Sequence, residues 1–203
     1  MAPRAEDQNR QMRERSSEAI RRAALELFIE KGFHAASIAE IAKRAGVSKG
    51  LIYNYYRSKD ELLQALMEDR LREAAATYAS VPAGGGAAEK LRYIVDSSVE
   101  QIVRNHELYR LYFALLLQPG ATPALQRAEE TLAPEFSRIF GQLIALFTES
   151  GSDAPETDAV VFQSALNGLA LGLLTKARPG EFPTDAIKQR LLRRFGFQKK
   201  EAP

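Results

Sequence analysis

The chain has 203 residues, 45% of them hydrophobic, enough to bury a substantial core in one large domain or two unequal ones. It contains no cysteine, which excludes a disulfide framework and a thiolate metal site and fits a reducing compartment, the cytoplasm being the expected location. The net charge of +2 does not mark a polyanion binder, yet residues 1–60 carry twelve basic against eight acidic side chains, whereas residues 81–180 carry eight against eleven.

Strand-like alternation is missing, and apolar residues recur at three- and four-residue spacings, so an all-α protein is expected. Residues 1–16, with Arg10, Arg13 and Arg15, read as a flexible basic arm that either reaches a minor groove or is merely solvated. Ser17 can cap a first helix carrying Ile20, Ala23, Ala24, Leu25, Leu27 and Phe28, which Gly32 stops. A second short helix starts at Ser37, keeps Ile38, Ile41, Ala42 and Ala45 inward and ends at Gly46. A third opens at Ser48, with Leu51 or Ile52 and Tyr56 inward. Ser58 and Glu61 make a capping box for a fourth, long helix that runs to the neighbourhood of Ala79. The stretch VPAGGGAAEK, residues 81–90, reads as a loop and as a boundary between a small head and a larger body. Further helices are expected at 87–105, 107–118, 122–150 with an interruption near Pro134, 156–177 and 183–195. No uninterrupted apolar run approaches the roughly 18 residues of a membrane span, and the charged start is unlike a signal peptide.

The informative stretch is SIAEIAKRAGVSKGLIYNYYRSKDEL, residues 37–62, where two short helices flank Gly46. Glycine takes positive φ cheaply, and Ala42, Ala45 and Val47 are small enough to let the two helices meet closely, as a helix-turn-helix requires. The second of them begins with small polar residues and Lys49, so its first turn can enter a major groove unobstructed. Lys49 can donate to guanine N7 and O6, Leu51 can touch a thymine methyl, and tyrosine hydroxyls and Lys59 can hold phosphates without reading sequence. Tyr53 and Tyr55 could instead be core aromatics and Lys49 a solvated surface lysine.

With Ile41-Ala42, Ala45-Gly46-Val47-Ser48, Gly50, Tyr53, Tyr55-Tyr56, Ser58-Lys59 and Leu62, the stretch closely resembles the DNA-binding domain of the TetR family of bacterial regulators. The one departure is Tyr56 where phenylalanine is usual, which adds a hydroxyl at a core position. The resemblance covers Ser17 to about Leu63. It implies a DNA-binding domain at 17–62 made of three helices, joined by a long helix to an effector-binding and dimerisation domain at 63–203. It also implies DNA contacts from Ser48, Lys49, Gly50, Leu51, Tyr53, Tyr55 and Lys59. The activity implied is that of a homodimeric repressor, released from a palindromic double-stranded operator by a small, mostly apolar effector.

The helix expected at 156–177 is apolar on nearly every side, so it must be covered all round, by its own chain or by a partner. Phe162, Ala165, Gly168, Leu169 and Gly172 are the candidate dimer contacts. Candidate pocket residues are Tyr78, Tyr93, Gln101, Tyr109, Phe113, Leu116, Phe140, Leu143, Phe147, Gln163 and Asn167, most of which could equally be plain core. His106-Glu107 begins an HExxH-like run, but the second ligand is absent. Gly84, Gly85 and Gly86 are followed by no Gly-Lys-Ser/Thr, and no G-x-S-x-G elbow exists, so no metal, cofactor or catalytic residue is expected. The rival readings are an effector-independent DNA-binding or structural protein, which would lack a ligand-sized cavity, and an enzyme on a helical scaffold, which would need polar groups converging on one pocket.

Overall fold

Apolar side chains spaced three and four apart can be hidden together only if each segment coils into a helix and turns that stripe toward its neighbours. The computed structural model describes residues 3–116, 123–175 and 183–195, and among these it has nine helices and no strand. They are α1 (Pro3–Lys31), α2 (Ile38–Ala45), α3 (Lys49–Tyr55), α4 (Lys59–Ala79), α5 (Ala87–Arg104), α6 (His106–Leu116), α7 (Pro123–Glu149), α8 (Pro155–Thr175) and α9 (Thr184–Arg194). The all-α expectation holds. The last residues of the helices expected at 107–118 and 156–177 lie outside the described residues.

Two compact units are present: Met1–Asp69 with Arg110–Glu130, and Arg70–Tyr109 with Thr131–Pro203. The single helix α4 supplies residues 59–69 to the first and 70–79 to the second. In the first unit α1 packs on α2 and α2 on α3. Its centre is Ile20, Ala24, Leu27 and Phe28 of α1, Ile41 of α2, Ile52 of α3 and Leu62, Leu63 and Met67 of α4, none more than 2% exposed. Of the two residues open to the inward position on α3, Ile52 takes it and Leu51 is half-buried.

The first helix differs from the expected one. α1 is helical from Pro3, so the segment read as a flexible arm is its N-terminal half. The physical reason is local: no glycine interrupts residues 3–31, strong helix formers dominate, and proline suits a first helical position. Ser17 therefore caps nothing; its hydroxyl lies 3.1 Å from that of Tyr56, which partners the hydroxyl this chain carries where phenylalanine is usual.

In the second unit α5 packs on α8 and α9, around Leu91, Ile94, Val95, Leu143, Phe147, Ala159, Phe162, Leu166 and Leu192. Phe147, Phe162 and Phe195 meet edge to face, with centroids 5.1–5.8 Å apart. The interruption expected at Pro134 does not end α7, because the missing N–H removes one hydrogen bond while buried Leu132, Ile139 and Leu143 hold the helix on either side. By length and composition α8 could cross a membrane, although it contains no long uninterrupted apolar run. Phe162, Leu166 and Leu169 instead turn one of its faces into the core of the second unit.

Candidate functional site

Each short helix of the first unit is held by caps written in its own sequence. Ser37 Oγ accepts from the Glu40 N–H at 3.3 Å, and the Ser37 N–H donates to Glu40 Oε2 at 3.1 Å, a complete capping box for α2. Gly46 then ends α2 in the left-handed region at φ +69°, where a side chain would be strained. Ser48 Oγ accepts from the Leu51 N–H at 3.1 Å and starts α3 two residues later. A three-residue turn between helices of eight and seven residues is the result.

Ion pairs fix α1 against α2. The Arg44 guanidinium forks onto both oxygens of Glu30 at 2.6 and 3.0 Å, and Lys31 Nζ reaches Glu40 Oε1 at 2.5 Å. Lys31, together with the Ser37 hydroxyl and N–H, holds the Glu40 carboxyl down at about 2, against an ordinary 4.5. Because the folded value is depressed, these bonds contribute stability that is fully present above the unfolded value and lost as pH falls from 4.5 toward 2. Melting temperatures of the wild type and Glu40→Gln should therefore differ at neutral pH and converge as pH drops through that window. A difference independent of pH would show that the carboxylate charge is not what matters.

The outward face of α3 carries Lys49, Gly50, Tyr53 and Asn54, all exposed, with Ser48 exposed before it and Arg57 after it. Tyr53 is 54% exposed, so it is no core aromatic. Leu51 is half-buried. Two of the residues expected on phosphate are otherwise engaged. Tyr55 is half-buried and its hydroxyl donates to the Arg13 carbonyl at 3.1 Å, which ties α3 to α1. Lys59 donates to the carbonyls of Phe33, Ala36 and His34 at 2.7, 2.8 and 3.1 Å, with its ammonium 4.6 Å from the Phe33 ring centre. An ammonium has three N–H donors, and all three close the loop between α1 and α2. Lys59 is thus a loop clasp, and a phosphate would have to displace carbonyls to reach it. Asn54 escaped the sequence reading although it lies four residues after Gly50, the helical spacing that could have found it.

On α8, Phe162 and Leu169, expected at a partner surface, are 0% and 3% exposed within this chain's own fold. Of the others, Gly168 is exposed and Ala165 and Gly172 are partly so. The open face of the helix is Val160, Val161, Ser164, Gly168 and Leu171, with the two valines 52% and 49% exposed. Helical phase explains the shift: Phe162 and Leu169 are seven apart and lie on one side, while Val161, Ser164, Gly168 and Leu171 lie on another.

The second unit contains a cavity of about 40 Å³. Five of the expected residues meet there: Tyr78, Gln101, Tyr109, Gln163 and Asn167. The other six do not line it. Leu143 and Phe147 are buried in the apolar core with Phe140 packed against it, Phe113 and Leu116 belong to the first unit, and Tyr93 is half-buried elsewhere on α5. Arg70, Thr77 and Ser98 line the cavity and were not anticipated, since an arginine and a threonine within a charged helix read as surface. The Tyr78 hydroxyl donates to Gln163 Oε1 at 2.6 Å, and burial, with a further contribution from Tyr109, pushes its pKa up to about 12. Most of the lining carries hydrogen-bonding groups, which departs from the mostly apolar ligand expected.

A capped pair of short helices with an open first turn, braced by α1 and α4, defines a helix-turn-helix protein. The profile of the family described as bacterial regulatory proteins, tetR family, matches residues 20–66. The HTH-type transcriptional regulator BetI of Escherichia coli is 31% identical over 166 residues, which are 80% of this chain and 82% of that protein. BetI of Escherichia coli strain K12 is 30% identical over 175 residues, 85% of this chain and 87% of that one. The fatty acid degradation regulator FadR from Bacillus halodurans shares the fold with a TM-score of 0.68, at 22% identity over 86% of this chain and 97% of its own. FadR from Bacillus subtilis, solved in complex with stearoyl-CoA, gives 0.69 at 20% identity over 88% and 96%. The chain belongs to the TetR family of bacterial transcriptional regulators. These relatives are regulators, not enzymes.

Proposed function

We propose that the protein is a homodimeric repressor that acts in the cytoplasm, binds a palindromic operator through two copies of α3 and leaves it when a small molecule enters the second unit. The observation that carries this reading is the outward face of α3, where Ser48, Lys49, Gly50, Tyr53 and Asn54 stand exposed on a helix fixed by caps and ion pairs. Lys49 reads a base, Tyr53 donates to phosphate, and Asn54 adds a side chain able to pair with adenine N6 and N7. Ser48 and Gly50 let the backbone approach, and Leu51 reaches a thymine methyl only with its exposed part. Tyr55 and Lys59 act indirectly, Tyr55 by holding α1 against α3 and Lys59 by holding the loop between α1 and α2 against the start of α4. The division into a DNA-binding domain at 17–62 and an effector and dimerisation domain at 63–203 follows the same reading. Effector release runs along α4, a helix common to both units.

Selection of bound sequences from random duplex DNA should return a palindrome, as a two-fold dimer demands. On that operator Lys49→Ala should relax the preference at one base pair per half-site, worth about 1–3 kcal/mol. Tyr53→Phe should weaken all sequences alike. Recovery of no preferred sequence, or unchanged specificity in Lys49→Ala, contradicts the proposal. The effector-independent reading draws on the small cavity, which has room for about three waters. Failure of every small molecule that binds the protein to alter operator affinity would decide for it.

A further inference from the structure

Three helices and one tyrosine build the cavity of the second unit, each helix through one stripe of its surface. α4 gives Arg70, Ala74, Thr77 and Tyr78 at spacings of four, seven and eight, and α5 and α8 contribute in the same way. Thr77 is 3% exposed, yet its Oγ1 has no hydrogen-bond partner among the described residues, and neither has the buried Gln101 Oε1. Buried hydroxyl and amide groups are nearly always paired, because leaving one unsatisfied costs about 1–3 kcal/mol. Both residues line one cavity, so their unpaired groups point to something that binds there.

Charge narrows what that is. Arg70 is 7% exposed, its guanidinium stacks 4.0 Å from the Tyr109 ring centre, and it is the only ionised side chain among the described lining residues. Burial raises both phenols, so Tyr78 and Tyr109 remain neutral. Glu73, the carboxylate near Tyr109, does not line the cavity. The cavity thus offers a flat guanidinium and neutral hydrogen-bonding groups in a small volume. A guanidinium matches a planar carboxylate, and Gln101 Oε1 asks for a hydroxyl donor.

We propose that the effector is a compact hydroxycarboxylate, its carboxylate on Arg70 and Thr77 and its hydroxyl donating to Gln101 Oε1. This rests on the effector-release reading above and names the ligand's class.

The test is calorimetric titration of the full-length protein with sodium glycolate, lactate and 3-hydroxybutyrate. Neutral diols of the same size, tetramethylammonium and inorganic phosphate serve as contrasts. At least one hydroxycarboxylate should bind about 10- to 100-fold more tightly than its diol, the ratio expected of a hydrogen bond to a charged group. Arg70→Gln should remove that advantage. Thr77→Val keeps the side-chain shape and deletes an unpartnered hydroxyl, so it should fold as well as the wild type while binding about 5- to 10-fold more weakly. The assignment is overturned if no hydroxycarboxylate binds, if diols, tetramethylammonium or phosphate bind as well, or if binding survives in both variants. The two proposals fail separately. Hydroxycarboxylate binding that leaves operator affinity unchanged overturns effector release and keeps the ligand class; release by tetramethylammonium or a diol, undisturbed in Arg70→Gln, does the reverse.

Discussion

Lys59→Met should lower the stability of the first unit by about 2–4 kcal/mol while leaving the salt dependence of DNA binding by the folded protein unchanged. The variant keeps most of the apolar stem but removes three charge-assisted bonds to the Phe33, Ala36 and His34 carbonyls. Bonds to a charged group contribute about 1.5–3 kcal/mol each when sheltered. The Phe33 and Ala36 contacts are part-buried and count most, whereas the exposed His34 carbonyl can turn to water. Urea unfolding gives the stability, and operator titrations at several salt concentrations give the slope. A change within about 0.5 kcal/mol, as for an ordinary surface lysine, together with a slope reduced by about one unit, would return Lys59 to the phosphate backbone.

In the proposed homodimer, with the open face of α8 as its interface, Gly168→Glu and Val161→Glu should each raise the dissociation constant at least about 100-fold, because an unpaired charge desolvated in an interface costs about 3–5 kcal/mol. Val161 is 49% exposed in the isolated chain, and an added Cβ at Gly168 meets no atom of the described residues within 4 Å. Neither change therefore strains the subunit, and replacing a helical glycine favours α8. Sedimentation should find folded monomers with normal far-ultraviolet dichroism, and operator affinity should fall with the loss of the second half-site. Leu169→Glu cannot serve as this test, since Leu169 is 3% exposed in its own core and its loss would unfold the unit. Intact dimers in both Gly168→Glu and Val161→Glu would place the partner on another surface.

Much of the first unit was legible in the residues because its signals are local. Ser37 with Glu40, Gly46 and Ser48 act on backbone groups within four positions, so spacing alone places α2, the turn and α3. The helix-turn-helix and its exposed Lys49 follow from the same short-range chemistry. The start of α1 was missed although it too is local, since a serine that can cap also tolerates a helix interior when a partner such as Tyr56 takes its hydroxyl.

Tertiary structure decided the rest. Whether Lys59 and Tyr55 face DNA or their own backbone depends on carbonyls 23–26 and 42 positions away, which no periodicity reveals. In α8 the apolar pattern runs nearly all round, so the sequence determined that both sides need cover, and only packing against α5 and α9 chose which side holds Phe162 and Leu169 and which leaves Val161 and Gly168 open. In the same way α4 reads as a charged surface helix. The placement of α5, α6 and α8 against it buries Arg70 and Thr77, turning two polar residues of unremarked sequence into the floor of a cavity. Local hydrogen bonding is written in neighbouring residues, whereas the burial of a polar group is settled by chain segments far removed in sequence.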